Sequence, residues 1–201
     1  QFGVQSMMAA SQGGEGLNII RGVFMPHVSI INLIFLFMLP ALTMRLIAEE
    51  KKSHSYDLLL TSPVTATQIV AGKFMAGMGA MSVLLFLSFL YPWMTRLIAD
   101  FSWGVVFTIY LGLFLIAALY TAAGLLVSSL TESLVLAVIM GVSLNFLLWF
   151  AGPSLSGTET EWISKVGEYI NLGTHMAGFV SGSIQIRSVV FFGALILFLT
   201  F

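Results

Sequence analysis

Apolar residues in this chain do not alternate with polar ones; they come in long runs broken by short polar stretches. Uncharged runs cover Gly22–Met44, Phe74–Thr95, Phe101–Thr131, Ser133–Thr158 and Ser188–Phe201. The first four are long enough to cross a hydrocarbon core of about 30 Å, which needs about 20 helical residues. In lipid every backbone group must be bonded within its own segment, so such runs predict helices. A closed barrel would need short alternating strands and turn clusters, and the pattern lacks both. Spans are expected at about 23–44, 67–94, 103–127, 133–151 and 187–201. The last run has only 14 residues, about 21 Å of helix. Position 1 is Gln, and Gln1–Gly16 has no basic-then-apolar order, so no signal peptide is read there. A piece of a longer protein is therefore expected, lacking its first helix and clipped in its last.

Capping patterns mark the helix starts. Thr65 with Gln68, Ser129 with Glu132 and Thr158 with Glu161 each fit a capping box, one of them just before Leu134 and one just before Trp162. Pro40 and Pro92 fall near the ends of the first two runs and are expected to kink or end those helices. Two stretches are neither spans nor simple turns. Residues 45–65 carry Arg45, Glu49, Glu50, Lys51, Lys52, His54 and Asp57, followed by Leu58-Leu59-Leu60. Charge beside an apolar patch, in a loop too short to be a domain, is more than an idle linker would expose. In residues 159–187, Trp162, Ile163, Val166, Tyr169 and Ile170 recur at helical spacing, with Glu161, Lys165 and Glu168 between them. That pattern predicts an amphipathic helix lying at the membrane interface. Asn171 and Gly173 should end it, with a second short helix through Met176 and Phe179.

Composition agrees with a lipid solvent: 58% of the 201 residues are hydrophobic, 8% are charged, and the mean hydropathy is +1.00. A water-facing domain carries about 25% charged residues. The net charge of −1 offers no nucleic-acid footprint. With no cysteine, disulfides, thiolate metal sites and thiol catalysis are excluded. Arg45, Lys51, Lys52 and Lys73 lie on one side of the expected membrane; Arg21, Arg96, Lys165 and Arg187 lie on the other. The positive-inside count ties, and only the clustering of the first four places residues 45–65 in the cytoplasm.

Candidate chemistry is sparse. His27, His54 and His175 have no metal-ligand spacing. Gly72-Lys73 lacks the rest of a phosphate loop, and Ser154 and Ser156 lack the flanking pattern and paired base of a nucleophile. No catalytic, cofactor or metal residues are assigned, and the chain reads as a non-catalytic membrane protein. No acid falls within a span; Asn32 and Asn145 are the deepest polar groups, fit either for interhelical hydrogen bonding or for lining a substrate path. Small residues repeat at i, i+4 and i+8 in Gly72, Ala76 and Ala80, and again in Ser133, Ala137 and Gly141, which lead to Asn145. Either ribbon suits close helix packing inside one subunit. The second, with Asn145 at its end, also suits a dimer contact near a two-fold axis or a cavity wall.

Residues 43–74 carry a resemblance. Met44-Arg45, Ala48-Glu49-Glu50-Lys51, Leu58-Leu59-Leu60-Thr61-Ser62-Pro63 and Gly72-Lys73-Phe74 closely resemble, in order and spacing, the permease subunits of ABC-2 type transporters, especially the gliding-motility-associated subgroup. Gly124–Glu132 resembles the family's Gly-Leu-hydrophobic-Ser-Ser-Leu-Thr-Glu junction. The match departs after Glu50, where Lys51-Lys52-Ser53-His54-Ser55-Tyr56-Asp57 replaces Lys-Arg-x-Gly-Thr-hydrophobic-Glu.

The resemblance implies an all-α, type V exporter-like permease of six helices in the bacterial inner membrane. Two permease subunits, alike or different, would pair with two ATP-binding subunits, which hold ATP and Mg while this chain binds no cofactor. Glu49, Glu50, Lys51, Lys52, Tyr56, Asp57, Leu58, Leu59 and Leu60 would form the cytoplasmic coupling element, joined by Ser129 and Glu132. Residues 158–186 would form an extracytoplasmic helical hairpin. Asn32, Ala137, Gly141 and Asn145 are the candidates for the dimer contact or translocation path. The complex would export a substrate; the alternative is a structural or mechanotransmitting subunit that an ATPase drives without transport.

Overall fold

A computed structural model describes Gly22 and residues 24–52, 65–98 and 100–201. Its elements are α1 (Met25–Lys52), α2 (Ala66–Ser88), α3 (Leu90–Arg96), α4 (Trp103–Leu130), α5 (Leu134–Ser156), α6 (Glu161–Ile170), α7 (Leu172–Val180) and α8 (Ile186–Thr200). No strand occurs among the described residues. α1, α2 with α3, α4 and α5 are each long and apolar enough to cross a membrane.

Helix α4 is the axis of the bundle. It packs against α1, α2, α5, α7 and α8, and Ile116, Ala117, Leu119, Tyr120, Ala122 and Ala123 are buried along it. The reason is visible in its side chains: Gly112, Ala117, Ala118, Ala122, Ala123 and Gly124 let neighbours approach, which is how helices associate where lipid supplies no hydrophobic drive. At Gly112 an added Cβ would lie 2.8 Å from Met176 Sδ, and at Gly124 it would overlap the Thr43 side chain. The outer helices turn large apolar residues outward instead, such as Phe86, Ile139, Leu147 and Phe198.

Several boundaries differ from those expected. α1 does not end at Met44 but runs on to Lys52, so residues 45–52 are helix, not loop. Charge does not stop a helix, since Arg, Glu and Lys are all good helix formers. The helix is 28 residues long, about 42 Å, and exceeds a hydrocarbon core by about 12 Å. Pro40 neither ends it nor leaves a polar gap, as described below. The second run breaks at Phe89, three residues before Pro92, because proline has no N–H to bond the Ser88 carbonyl.

Of the three capping boxes one forms. Thr65 N–H donates to Gln68 Oε1 at 3.0 Å, and Gln68 N–H donates to Thr65 Oγ1 at 3.3 Å. Ser129 remains inside α4, and Ser133 caps α5 by accepting from Leu136 N–H at 3.4 Å. Thr160, not Thr158, precedes α6 and makes no side-chain cap bond. Asn171 ends α6 and caps α7, accepting from Gly173 N–H at 2.9 Å.

Candidate functional site: a charged helix end and an apolar cavity

The charged ends of α1 and α2 are laced together and to the serine-bearing end of α4. Lys51 Nζ donates to the Ser129 carbonyl at 2.5 Å, and Lys73 Nζ pairs with Glu50 Oε2 at 2.5 Å while also donating to the Leu46 carbonyl. Ser128, fully buried, makes the most specific contact. Its Oγ accepts from Ala48 N–H at 3.0 Å and donates to the Met44 carbonyl at 3.2 Å. Met44 and Ala48 are an i, i+4 pair, so the hydroxyl of one helix is seated on the backbone ladder of another. Inserted groups of this kind are a recognised cause of local bending. Lys52 and Glu132 are exposed at the same end.

Two stretches far apart in sequence, 45–52 and 128–133, are thus neighbours in space. Of the expected coupling residues, Glu50, Lys51, Lys52, Ser129 and Glu132 come together, and Glu49 lies on the same last turns of α1. Tyr56, Asp57, Leu58, Leu59 and Leu60 lie outside the described residues, as does Gln1–Gly16. The resemblance marks Ser128 as part of the Gly124–Glu132 junction and residues 128–133 as a smaller cytoplasmic contact, but it does not assign Ser128 a contact with α1.

The Ser133–Asn145 ribbon takes a different role from the dimer contact considered above: α1 of the same chain covers it. Ala137, Gly141 and Asn145 are buried, and a Cβ added at Gly141 would lie 2.8 Å from Pro40 Cβ. Pro40 cannot donate to the Leu36 carbonyl, and Asn145 Nδ2 does so from α5 at 3.4 Å. Thr43 Oγ1 donates to the Leu39 and Pro40 carbonyls at 2.9 and 3.3 Å. The break is thereby satisfied from within the subunit. The Gly72, Ala76, Ala80 ribbon faces outward, and a Cβ added at Gly72 would meet nothing within 4 Å.

Asn32 lies elsewhere, in a wall of a cavity of about 450 Å³ between α1, α4, α5 and α7. Leu33, Leu36, Phe146, Trp149 and Phe150 are among its lining, and no charged side chain contributes. Tyr120 OH donates to Asn32 Oδ1 at 3.3 Å. The cavity lies along the first turns of α1. Asn32 to Lys51 is about 28 Å of helix, so cavity and charged end occupy opposite halves of the bundle. The aromatic residues of α5 that line it are not singled out from the sequence; their clustering next to Asn145 is the available signal.

The other end of the molecule carries the two helical pieces expected in 158–186. α6 lies back along α5, with Gly167 against the backbone of Leu155 and Ser156. Ser164 Oγ donates to the Ser156 carbonyl at 3.0 Å. Trp162, Val166 and Tyr169 form an exposed stripe on its outer side. The two described histidines serve separate local networks. His27 Nε2 lies 3.2 Å from Ser88 Oγ, and its ring stacks on Tyr91 at 4.1 Å. His175 sits between Ser188 Oγ and the Tyr169 carbonyl, each at 2.9 Å.

No curated protein and no solved structure matches the chain. A family model described as "ABC-2 family transporter protein" matches residues 2–200. Its multiple apolar helices make the chain a multi-pass membrane protein, and the family supplies the membrane components of transporters that work with ABC ATPase subunits in general. The match, the all-helical bundle and the laced helix ends agree: this chain belongs to the ABC-2 family of transporter proteins.

Proposed function

We propose that the chain is the permease subunit of an ABC exporter of the bacterial cytoplasmic membrane, gripped by an ATP-hydrolysing subunit where the charged ends of α1 and α2 meet the end of α4. The observation that carries this reading is the lacing of Glu50, Lys51, Lys73, Ser128 and Ser129 into one unit. Force applied to the end of α1 is passed directly to α4, the axis of the bundle. Residues 53–64, with Tyr56, Asp57 and the three leucines, connect α1 to α2 at this same end, which makes them the natural contact for a separate motor. The charged side is cytoplasmic in this reading, and α6 with α7 lies on the outer side. Two permease subunits would meet two ATPase subunits. The likeness to the gliding-motility-associated subgroup rests on residues 43–74. A cavity with a buried amide, Asn32, in an otherwise largely apolar wall favours transport over purely mechanical coupling.

The test is co-purification of the ATPase with variants of the connecting segment, scored beside transport. Leu59→Asp, or Tyr56→Ala with Leu58→Ala, should release the ATPase and leave the bundle folded, because truncating a central apolar anchor can cost about 2 kcal/mol or more. Retention of the ATPase with full activity in both variants overturns this docking surface and the assignment of its side.

A further inference from the structure

The cavity beside Asn32 has an uneven chemistry. Its walls are mostly apolar and aromatic, it holds no charge, and the proton of its one hydroxyl is already used, since Ser29 Oγ donates to the Met25 carbonyl at 2.9 Å. Asn32 is 5% exposed. Its only hydrogen bond among the described residues is the one its Oδ1 accepts, so the Nδ2 amide keeps its two N–H donors. Trp149 lines the same cavity, and its indole N–H has no acceptor among the described residues. Both donors belong to side chains that line the cavity, so a molecule seated there can supply the acceptor they lack. Among the described residues, the polar hydrogens that the lining leaves without a protein acceptor are those of Asn32 and Trp149, set in an apolar cavity of the size that holds small ligands.

The complement of such a chamber is an apolar chain bearing a neutral acceptor. A saccharide would leave its hydroxyls unmatched against Leu33, Leu36 and Phe146, and an ion would find no counter-charge. Access is from the membrane, because Leu33, Phe146 and Phe150 line the cavity and are also exposed on the outside of the bundle. We infer that this cavity binds a membrane amphiphile, its acyl chain against α1 and α5 and its carbonyl oxygen accepting from Asn32. The inference deepens the exporter reading, and rests on it, by giving the cargo a chemical class. Binding itself requires neither nucleotide nor ATPase.

The test uses the full chain in phosphatidylcholine nanodiscs doped with a phosphatidylcholine that carries a diazirine in one acyl chain. Labelled residues are mapped by peptide mass spectrometry. Adducts should concentrate on Leu33, Phe146, Phe150 and Met176, and monoolein should compete for them better than a hydrocarbon of equal length. Ala177→Phe, which places bulk at an exposed lining position, should remove the adducts. Asn32→Leu should weaken monoolein competition about 2- to 10-fold, the value of one hydrogen bond, while leaving the hydrocarbon unaffected. Because Asn32→Leu also strips Tyr120 of its partner, Ala177→Phe keeps the test independent of folding. Labelling spread evenly over outward residues such as Phe86, Ile139 and Phe198, and indifferent to Ala177→Phe, overturns the site. Equal competition by monoolein and hydrocarbon overturns the acceptor chemistry. Adducts in the cavity of a chain that captures no ATPase would instead tell against the exporter reading alone.

Discussion

Pro40 lacks the N–H that would close its turn onto the Leu36 carbonyl, and the missing donor comes from Asn145 on another helix. Gly141, one turn before Asn145, gives the proline ring its room. The two residues therefore act together: one permits the approach, the other uses it. Asn145→Ala should destabilise the bundle by about 0.5–1.5 kcal/mol, the range for one interhelical hydrogen bond. Pro40→Ala restores the intrahelical donor, so Asn145→Ala should cost close to nothing in that background. The measurement is a double-mutant cycle of reversible unfolding in detergent or bicelles, and additive costs would show that Asn145 has another partner. Gly141→Leu should cost more, about 1–3 kcal/mol, since overpacking against Pro40 cannot be relieved by a rotamer change.

At the scale of the element, α6 shows how amphipathic order and glycine placement divide one short helix between two neighbours. Ile163, Gly167 and Ile170 lie on the less exposed side, and Gly167 meets α5, whereas Trp162, Val166 and Tyr169 point outward. Lys165 pairs with Glu161 at 2.6 Å, both side chains well exposed. A spin label at Val166 should be reached more readily by oxygen, and one at Lys165 by a water-soluble quencher; matching profiles would mean that α6 is a soluble cap and no interfacial helix. The helical periodicity of this segment was legible in the sequence because polar and apolar residues alternate around it. The four long helices were equally legible as uncharged runs. Their inward faces were not, since a helix that is apolar all round carries no stripe to point at the core. The two small-residue ribbons look alike in sequence, yet Ala137 and Gly141 are buried while Gly72 and Ala76 are exposed. Nor did the end of the uncharged run mark the end of α1. Lipid excludes Arg45 and Lys51, but the helix does not.

For the molecule as a whole, the decisive contact is Ser128 on the backbone of α1. The hydroxyl bridges Ala48 N–H and the Met44 carbonyl, and just beyond it Lys51 holds the Ser129 carbonyl. Beyond this point α1 carries Glu49 to Lys52, which the exporter reading places against the motor. The hydroxyl thus ties the end of α1 to α4, and through α4 to every helix that packs on it. Ser128→Ala lets Ala48 N–H close directly onto Met44, so the folded state should lose only about 1 kcal/mol or less. The ATPase should still co-purify, because the docking residues are untouched. What should change is the relation between hydrolysis and transport: ATP turnover persists while the number of molecules moved per ATP falls. Ser128→Thr, which keeps the hydroxyl, should retain more of the ratio than alanine does. Both variants are read in proteoliposomes by parallel assays of phosphate release and substrate movement. If Ser128→Ala leaves that ratio unchanged, α1 and α4 move together through their apolar contacts, and the hydroxyl serves only to satisfy the backbone at a close crossing.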